Sequence, residues 1–153
     1  MKIKGLISED FVNYKKPAMT IMFPYCTFKC GTEYCQNSPL SKAEDIEMDI
    51  SNIVIRYLNN PITESVVMQG LEPFDSWDDL IEFVKQLRES TDDDIVIYTG
   101  YYKEEIADKI ALLSKYKNMV IKYGRYIPNQ EKHYDEVLGV YLASENQYAE
   151  RIS

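Results

Sequence analysis

Short apolar runs and helical periods alternate along this chain, and that alternation limits the fold more than any other feature. Ala18 to Phe23 (AMTIMF), Ser65 to Met68 (SVVM), Ile95 to Tyr98 and Met119 to Lys122 each have the length of a buried strand. Between the first two, Ile46, Ile50, Ile53, Val54, Tyr57 and Leu58 recur at helical spacing and predict a helix over 43–59, closed by Asn59-Asn60-Pro61. A second helix is expected over 76–89, with Ser76 as its cap and Asp78 and Asp79 in the first turn, where the helix dipole favours them. Ile106, Ile110 and Leu113 mark a third over 103–116. Repeated strand–helix–strand units imply parallel strands joined by right-handed crossovers, so the class is α/β. A closed eight-stranded barrel typically takes about 250 residues, and this chain has 153. The expectation is therefore a partial, open (β/α) barrel or a short open sheet, with active groups in the loops after the strands.

No linker-like tract and no internal repeat divides the sequence, so residues 1–153 read as a single domain. The net charge of −8 repels phosphate backbones and anionic lipid, which makes nucleic acid and membrane surfaces unexpected partners. The opening MKIK is basic but meets Glu9 and Asp10 before an apolar run of signal-peptide length has formed. No stretch is long enough to span a bilayer. A cytoplasmic location is the expectation, where thiols stay reduced and three cysteines read as ligands or nucleophiles rather than a disulfide frame.

All three cysteines, Cys26, Cys30 and Cys35, fall within CTFKCGTEYC just beyond the first predicted strand. Three readings compete. The thiols are buried structural groups, or they hold zinc, or they hold an iron-sulfur cluster. Structural zinc wants four protein ligands, and the only histidine, His133, lies far off in a polar stretch that reads as surface. Three thiolates suit a 4Fe-4S cube, with one iron each and the fourth left open to an amino-acid chelate.

These residues resemble the signature of radical S-adenosylmethionine enzymes, which carry three cysteines after the first barrel strand and an aromatic residue before the third, here Tyr34. Gln69-Gly70-Leu71-Glu72-Pro73 is similar to the Gly-Gly-Glu-Pro turn of those enzymes. The resemblance implies that Gly70, Leu71, Glu72 and Pro73 present backbone groups to the methionine amino group of S-adenosylmethionine. Along nearly its whole length the chain resembles the activating enzymes of anaerobic ribonucleotide reductase. The matching segments are Asp10-Phe11-Val12-Asn13, Cys35-Gln36-Asn37, Tyr98-Thr99-Gly100-Tyr101, Gly124-Arg125-Tyr126 and Ser144-Glu145-Asn146-Gln147.

That resemblance implies a 4Fe-4S cluster on Cys26, Cys30 and Cys35, and a cosubstrate site drawing on Tyr34, Asn37, Gly70 to Pro73, Thr99 and Lys122. It implies a flavodoxin-like electron donor and a glycyl-radical protein as partner, the large subunit of the reductase. The departures are a C-x3-C-x4-C spacing where C-x3-C-x2-C is usual, Leu71 for the second glycine, and Tyr123 where an Asp is expected before Gly124. Gly31 gives the wider cysteine loop backbone freedom to bring Cys35 to the cube.

Blander readings stand beside these. Glu72 would be a surface carboxylate next to a turn proline, Lys122 an exposed edge-strand lysine, and the 13 tyrosines core and rim residues. Two further functions remain. One is a small-molecule radical enzyme such as a 7-carboxy-7-deazaguanine synthase. The other is a non-enzymatic iron-sulfur electron carrier, which would usually need a fourth ligand and gives no reason for the Gly70 turn.

Overall fold

A computed structural model describes residues 1–26 and 38–153. The chain opens with β1 (Lys2–Ile3), β2 (Gly5–Asp10) and β3 (Ala18–Phe23), and after the cysteine loop makes a single helical turn, α1 (Ser38–Ser41), and a short β4 (Ile46–Glu47). Three strand-and-helix units follow. The first joins α2 (Ile50–Leu58) to β5 (Ser65–Gly70), the second α3 (Trp77–Arg88) to β6 (Asp94–Tyr98), and the third α4 (Ala107–Leu113) to β7 (Met119–Tyr123). The chain closes with a hairpin of β8 (His133–Asp135) and β9 (Val140–Leu142), then β10 (Tyr148–Arg151).

Among the described residues, one sheet has the order β10-β7-β6-β5-β3-β2. Its centre, β3-β5-β6-β7, is parallel and runs in sequence order. Crossovers of one hand between sequential neighbours put the connecting helices on one face. The packing agrees: Ile53 and Tyr57 of α2, Leu80, Phe83 and Leu87 of α3, and Ile110 and Leu113 of α4 share a core with Ile21, Val66, Met68, Ile97 and Ile121. Because side chains alternate along a strand, Ala18, Val67, Val96 and Val120 face the other way, where Tyr14, Leu138, Leu142 and Ala149 cover them.

One correction concerns the sheet. It is mixed, since β2 pairs antiparallel with β3 and β10 antiparallel with β7. Both edge strands return by way of non-helical loops, which permits antiparallel pairing without a crossover. As expected, the sheet among the described residues is open: β2 and β10 stand at opposite ends of the strand order.

The predicted strand over 18–23 matches β3 residue for residue, and the others agree to within two residues. The helix predicted over 43–59 is shorter. Ile46 lies instead in β4, paired with Ile3 of β1, and the Asp49 side chain accepts from the Ser51 N–H, so α2 begins at Ile50. Ser76 does not cap α3. A 3-10 turn over Pro73–Ser76 precedes that helix, its first donor is taken by Glu72, and the Ser76 hydroxyl is buried without a hydrogen-bond partner. No helix among the described residues is long and apolar enough to cross a membrane.

Candidate metal centre

β3 ends at Phe23, and Cys26 follows three residues later with its side chain exposed. Cys30, Tyr34, Cys35 and Asn37 lie outside the described residues. The take-off of the cysteine loop is stitched to the neighbouring strand end. The Leu71 N–H donates to the Phe23 carbonyl at 3.2 Å, and the Glu72 N–H donates to the Tyr25 carbonyl at 2.7 Å. Gly70 makes this approach possible. Its φ is +99°, and a Cβ there would lie 2.5 Å from the Phe23 nitrogen and 2.8 Å from the Met22 Cα. No other residue fits that space or that backbone conformation without strain.

Glu72 is 1% exposed, which overturns the surface-carboxylate reading. Its Oε1 accepts from the Thr99 hydroxyl at 2.7 Å and the Phe74 N–H at 3.1 Å, and its Oε2 from the Gly100 N–H at 2.8 Å. Burial pushes its pKa up to about 7, against the lowering effect of those three donors. Thr99 is committed on both sides of its hydroxyl, since the Tyr101 N–H donates to it at 3.0 Å. The carboxylate therefore clamps the Gly70–Pro73 turn to the end of β6.

Lys122 lies in β7 between β6 and β10, so it is not on an edge strand, and it is buried at 7% exposure. Its ammonium donates to the Gly124 carbonyl at 3.1 Å and the Thr99 carbonyl at 3.4 Å, and stands 5.7 Å from the centre of the Tyr98 ring. Burial lowers its pKa to about 8, with Glu72 acting in the opposite direction. Tyr123, in the position where an Asp is expected, points to the helix-covered core and donates to Glu150. The structure thus gathers Gly70, Leu71, Glu72, Pro73, Thr99 and Lys122 at the carboxyl ends of β5, β6 and β7, beside the root of Cys26.

Gly124 and Gln147 join this group although neither is a predicted site residue. The Gly124 carbonyl that receives Lys122 also accepts from the Gln147 side chain at 3.3 Å. Both belong to segments that carry the resemblance, but nothing local in the sequence says that they meet. His133 is half-buried in β8 rather than fully exposed, and its Nδ1 has no hydrogen-bond partner. The tyrosines divide between core and rim as expected: Tyr14, Tyr57 and Tyr123 are buried, while Tyr25, Tyr134 and Tyr141 are exposed.

The donor set suits iron and sulfide, because three soft thiols fall within ten residues of sequence shortly after β3. Known proteins point the same way. No curated protein and no solved structure matches the chain. A family profile described as "4Fe-4S single cluster domain" matches residues 17–148, from the first residue before β3 to the first residue of β10. With that match spanning β3 to β9, the cysteine segment and the strand-end group, the chain belongs to the 4Fe-4S single cluster domain family.

Proposed function

We propose that this protein is a radical S-adenosylmethionine enzyme that generates a glycyl radical on a partner protein, the large subunit of anaerobic ribonucleotide reductase. The observation that carries the reading is the stitching of the cysteine loop to the Gly70–Pro73 turn through the Phe23 and Tyr25 carbonyls. A cluster carrier has no need of such a turn, whereas a cosubstrate held at an open iron needs a second surface to orient it. In this reading the open sheet is the short form of a (β/α) barrel, and Cys26, Cys30 and Cys35 hold the cluster.

A cluster held by Cys26, Cys30 and Cys35 would supply, when reduced, the one electron needed for homolytic cleavage of S-adenosylmethionine, with methionine as one product and a glycine Cα of the partner as the hydrogen donor. The electron comes from a flavodoxin-like donor. The protein's own residues orient and exclude water. The N–H groups of Leu71 and Glu72 are spent on the cysteine loop, so the turn meets a ligand through carbonyl oxygens, which suit an amino group. Lys122 would receive the carboxylate of the same amino-acid moiety. Thr99 acts through Glu72 and is a positioning residue. Tyr34 and Asn37 stay assigned to the cosubstrate by resemblance alone.

The test is anaerobic reconstitution of the full chain. The expected product is a brown protein with about four irons that forms 5′-deoxyadenosine from S-adenosylmethionine under strong reductant. Cys35→Ala should lose both properties. Addition of an anaerobic reductase large subunit should give a glycyl-radical signal in electron paramagnetic resonance. A cluster that exchanges electrons but leaves S-adenosylmethionine intact would mark an electron carrier and reject the proposal.

A further inference from the structure

Ser144 to Gln147 carries part of the resemblance but has no part in the chemistry just described, and its hydrogen bonds lead directly to the strand-end site. Gln147 is 4% exposed, and its side chain acts in two directions. Its Oε1 accepts from the N–H groups of Ala143 and Ser144 at 3.1 and 3.2 Å, which closes the turn on itself. Its Nε2 reaches out to the Gly124 carbonyl. Asn146 fastens the same turn, donating to the Arg125 carbonyl at 2.7 Å and the Tyr102 hydroxyl at 2.9 Å. Gly124 is confined in return, with φ at +106° and room for a Cβ only 3.1 Å from the Asn146 carbonyl oxygen.

The Gly124 carbonyl is therefore shared by a buried amide and a buried ammonium. Among the described residues Lys122 donates to two carbonyls and to no carboxylate, so these oxygens stand in for the water that a charged group loses on burial. Moving the Gly124 carbonyl would move the ammonium or expose it. We infer that Gln147 is a positioning residue of the site: through the Gly124 carbonyl it sets where the Lys122 ammonium stands, and so where an anionic ligand group is received. The ligand half of this inference rests on the proposed assignment of Lys122 to the cosubstrate carboxylate; the Lys122 half does not.

The first measurement uses the cluster-free full chain. Wild type and Gln147→Met are amidinated and the rate at each lysine is read by mass spectrometry, with solvent-facing Lys117 as internal reference. Lys122 should react about tenfold faster in the variant, the equivalent of one lost hydrogen bond, while solvent-facing Lys117 keeps its rate. Equal Lys122 rates in two proteins of equal melting temperature would overturn the inference. Should Gln147→Met fail to fold, Gln147→Asn, one methylene shorter, takes its place in the same comparison. The second measurement is anaerobic calorimetry of the reconstituted protein with S-adenosylmethionine, where Gln147→Met should bind about tenfold more weakly. A wild type that does not bind it rejects the proposed function and leaves the labelling to decide on Gln147. Equal binding by wild type and variant overturns the ligand half.

Discussion

Asp94 opens β6 and Glu72 follows β5, both carboxylates are buried, at 4% and 1% exposure, and burial pushes both pKa values upward. They finish on opposite sides of the ordinary range. At Asp94 burial is outweighed by the Tyr14 hydroxyl, by Arg151 and by Lys16, and the carboxyl is held below its usual value. The hydroxyl is 2.7 Å away, and the Lys16 and Arg151 nitrogens 3.0 and 3.2 Å. Asp10, at the end of β2, is also held below its usual value, although its donors, from Thr20, Val12 and Asn13, are all neutral. At Glu72 three neutral donors act as well, but the carboxyl is buried more deeply and burial wins. Lys122 stands near but donates to carbonyls. The amino ends of the parallel strands thus hold neutralised charge that joins the N-terminal loop, β6 and β10. The carboxyl ends hold a carboxylate and an ammonium under strain from burial, on the side where the cysteines leave the sheet. Strained charge of this kind gathers where ligands bind, whereas neutralised pairs serve as braces.

That contrast can be tested from its largest consequence to its smallest. Gly70→Ala should cost about 3 kcal/mol or more in denaturant unfolding, because its Cβ would overlap the Phe23 nitrogen at 2.5 Å. A cost under about 1 kcal/mol would mean that the β3 and β5 ends are not locked together. Asp94→Ala should cost about 2 kcal/mol, since it strands Tyr14 and two half-exposed cations. Iron content after reconstitution should be unchanged, because the brace is at the far end from Cys26. Loss of iron binding in a folded Asp94→Ala protein would erase the distinction between the two ends.

The third consequence is a pH dependence. Glu72 binds its proton more tightly folded, near pH 7, than unfolded, near pH 4.5. Its stabilising contribution is therefore present below about 4.5 and is lost as pH rises to about 7. Lys122 acts in a separate window: it holds its proton less tightly folded, so stability rises between about pH 8 and 10.5. In the cluster-free chain, Glu72→Gln should flatten the slope between pH 4.5 and 7 by up to about 1.4 kcal/mol per pH unit. An unaltered slope would return Glu72 to the company of Asp94. The smallest effect is expected of Lys117→Ala, whose pair with Asp92 spans 3.7 Å in solvent at the same end as Asp94. A change above about 0.5 kcal/mol there would show that counting pairs, not burying them, stabilises that end.

Much of the frame was legible in the residues. β3, β5, β6 and β7 announce themselves as apolar runs, and Ile106, Ile110 and Leu113 as a helical stripe, because burial on a regular element repeats at the period of that element. The edge strands were not legible. β2 reads GLISED and β10 YAER, with polar residues on both sides, and their places are set by partners that pair with them across the sheet. The helix predicted from 43 was too long at its start, since the apolar period continues through Ile46 although that residue pairs with β1.

For the site, sequence alone determined that three thiols share one short loop after a buried strand, and that a Gly-x-Glu-Pro turn ends the next. Both are local facts of order and spacing. Tertiary structure alone decided that Glu72 is a buried clamp, that Lys122 is shielded by an added antiparallel strand, and that Gln147 holds the carbonyl on which Lys122 rests. Those three outcomes depend on contacts between segments that are far apart in sequence and meet at the ends of neighbouring strands. Whether a side chain is charged or neutral, sheltered or wet, is set by neighbours that the chain brings together only when the sheet forms.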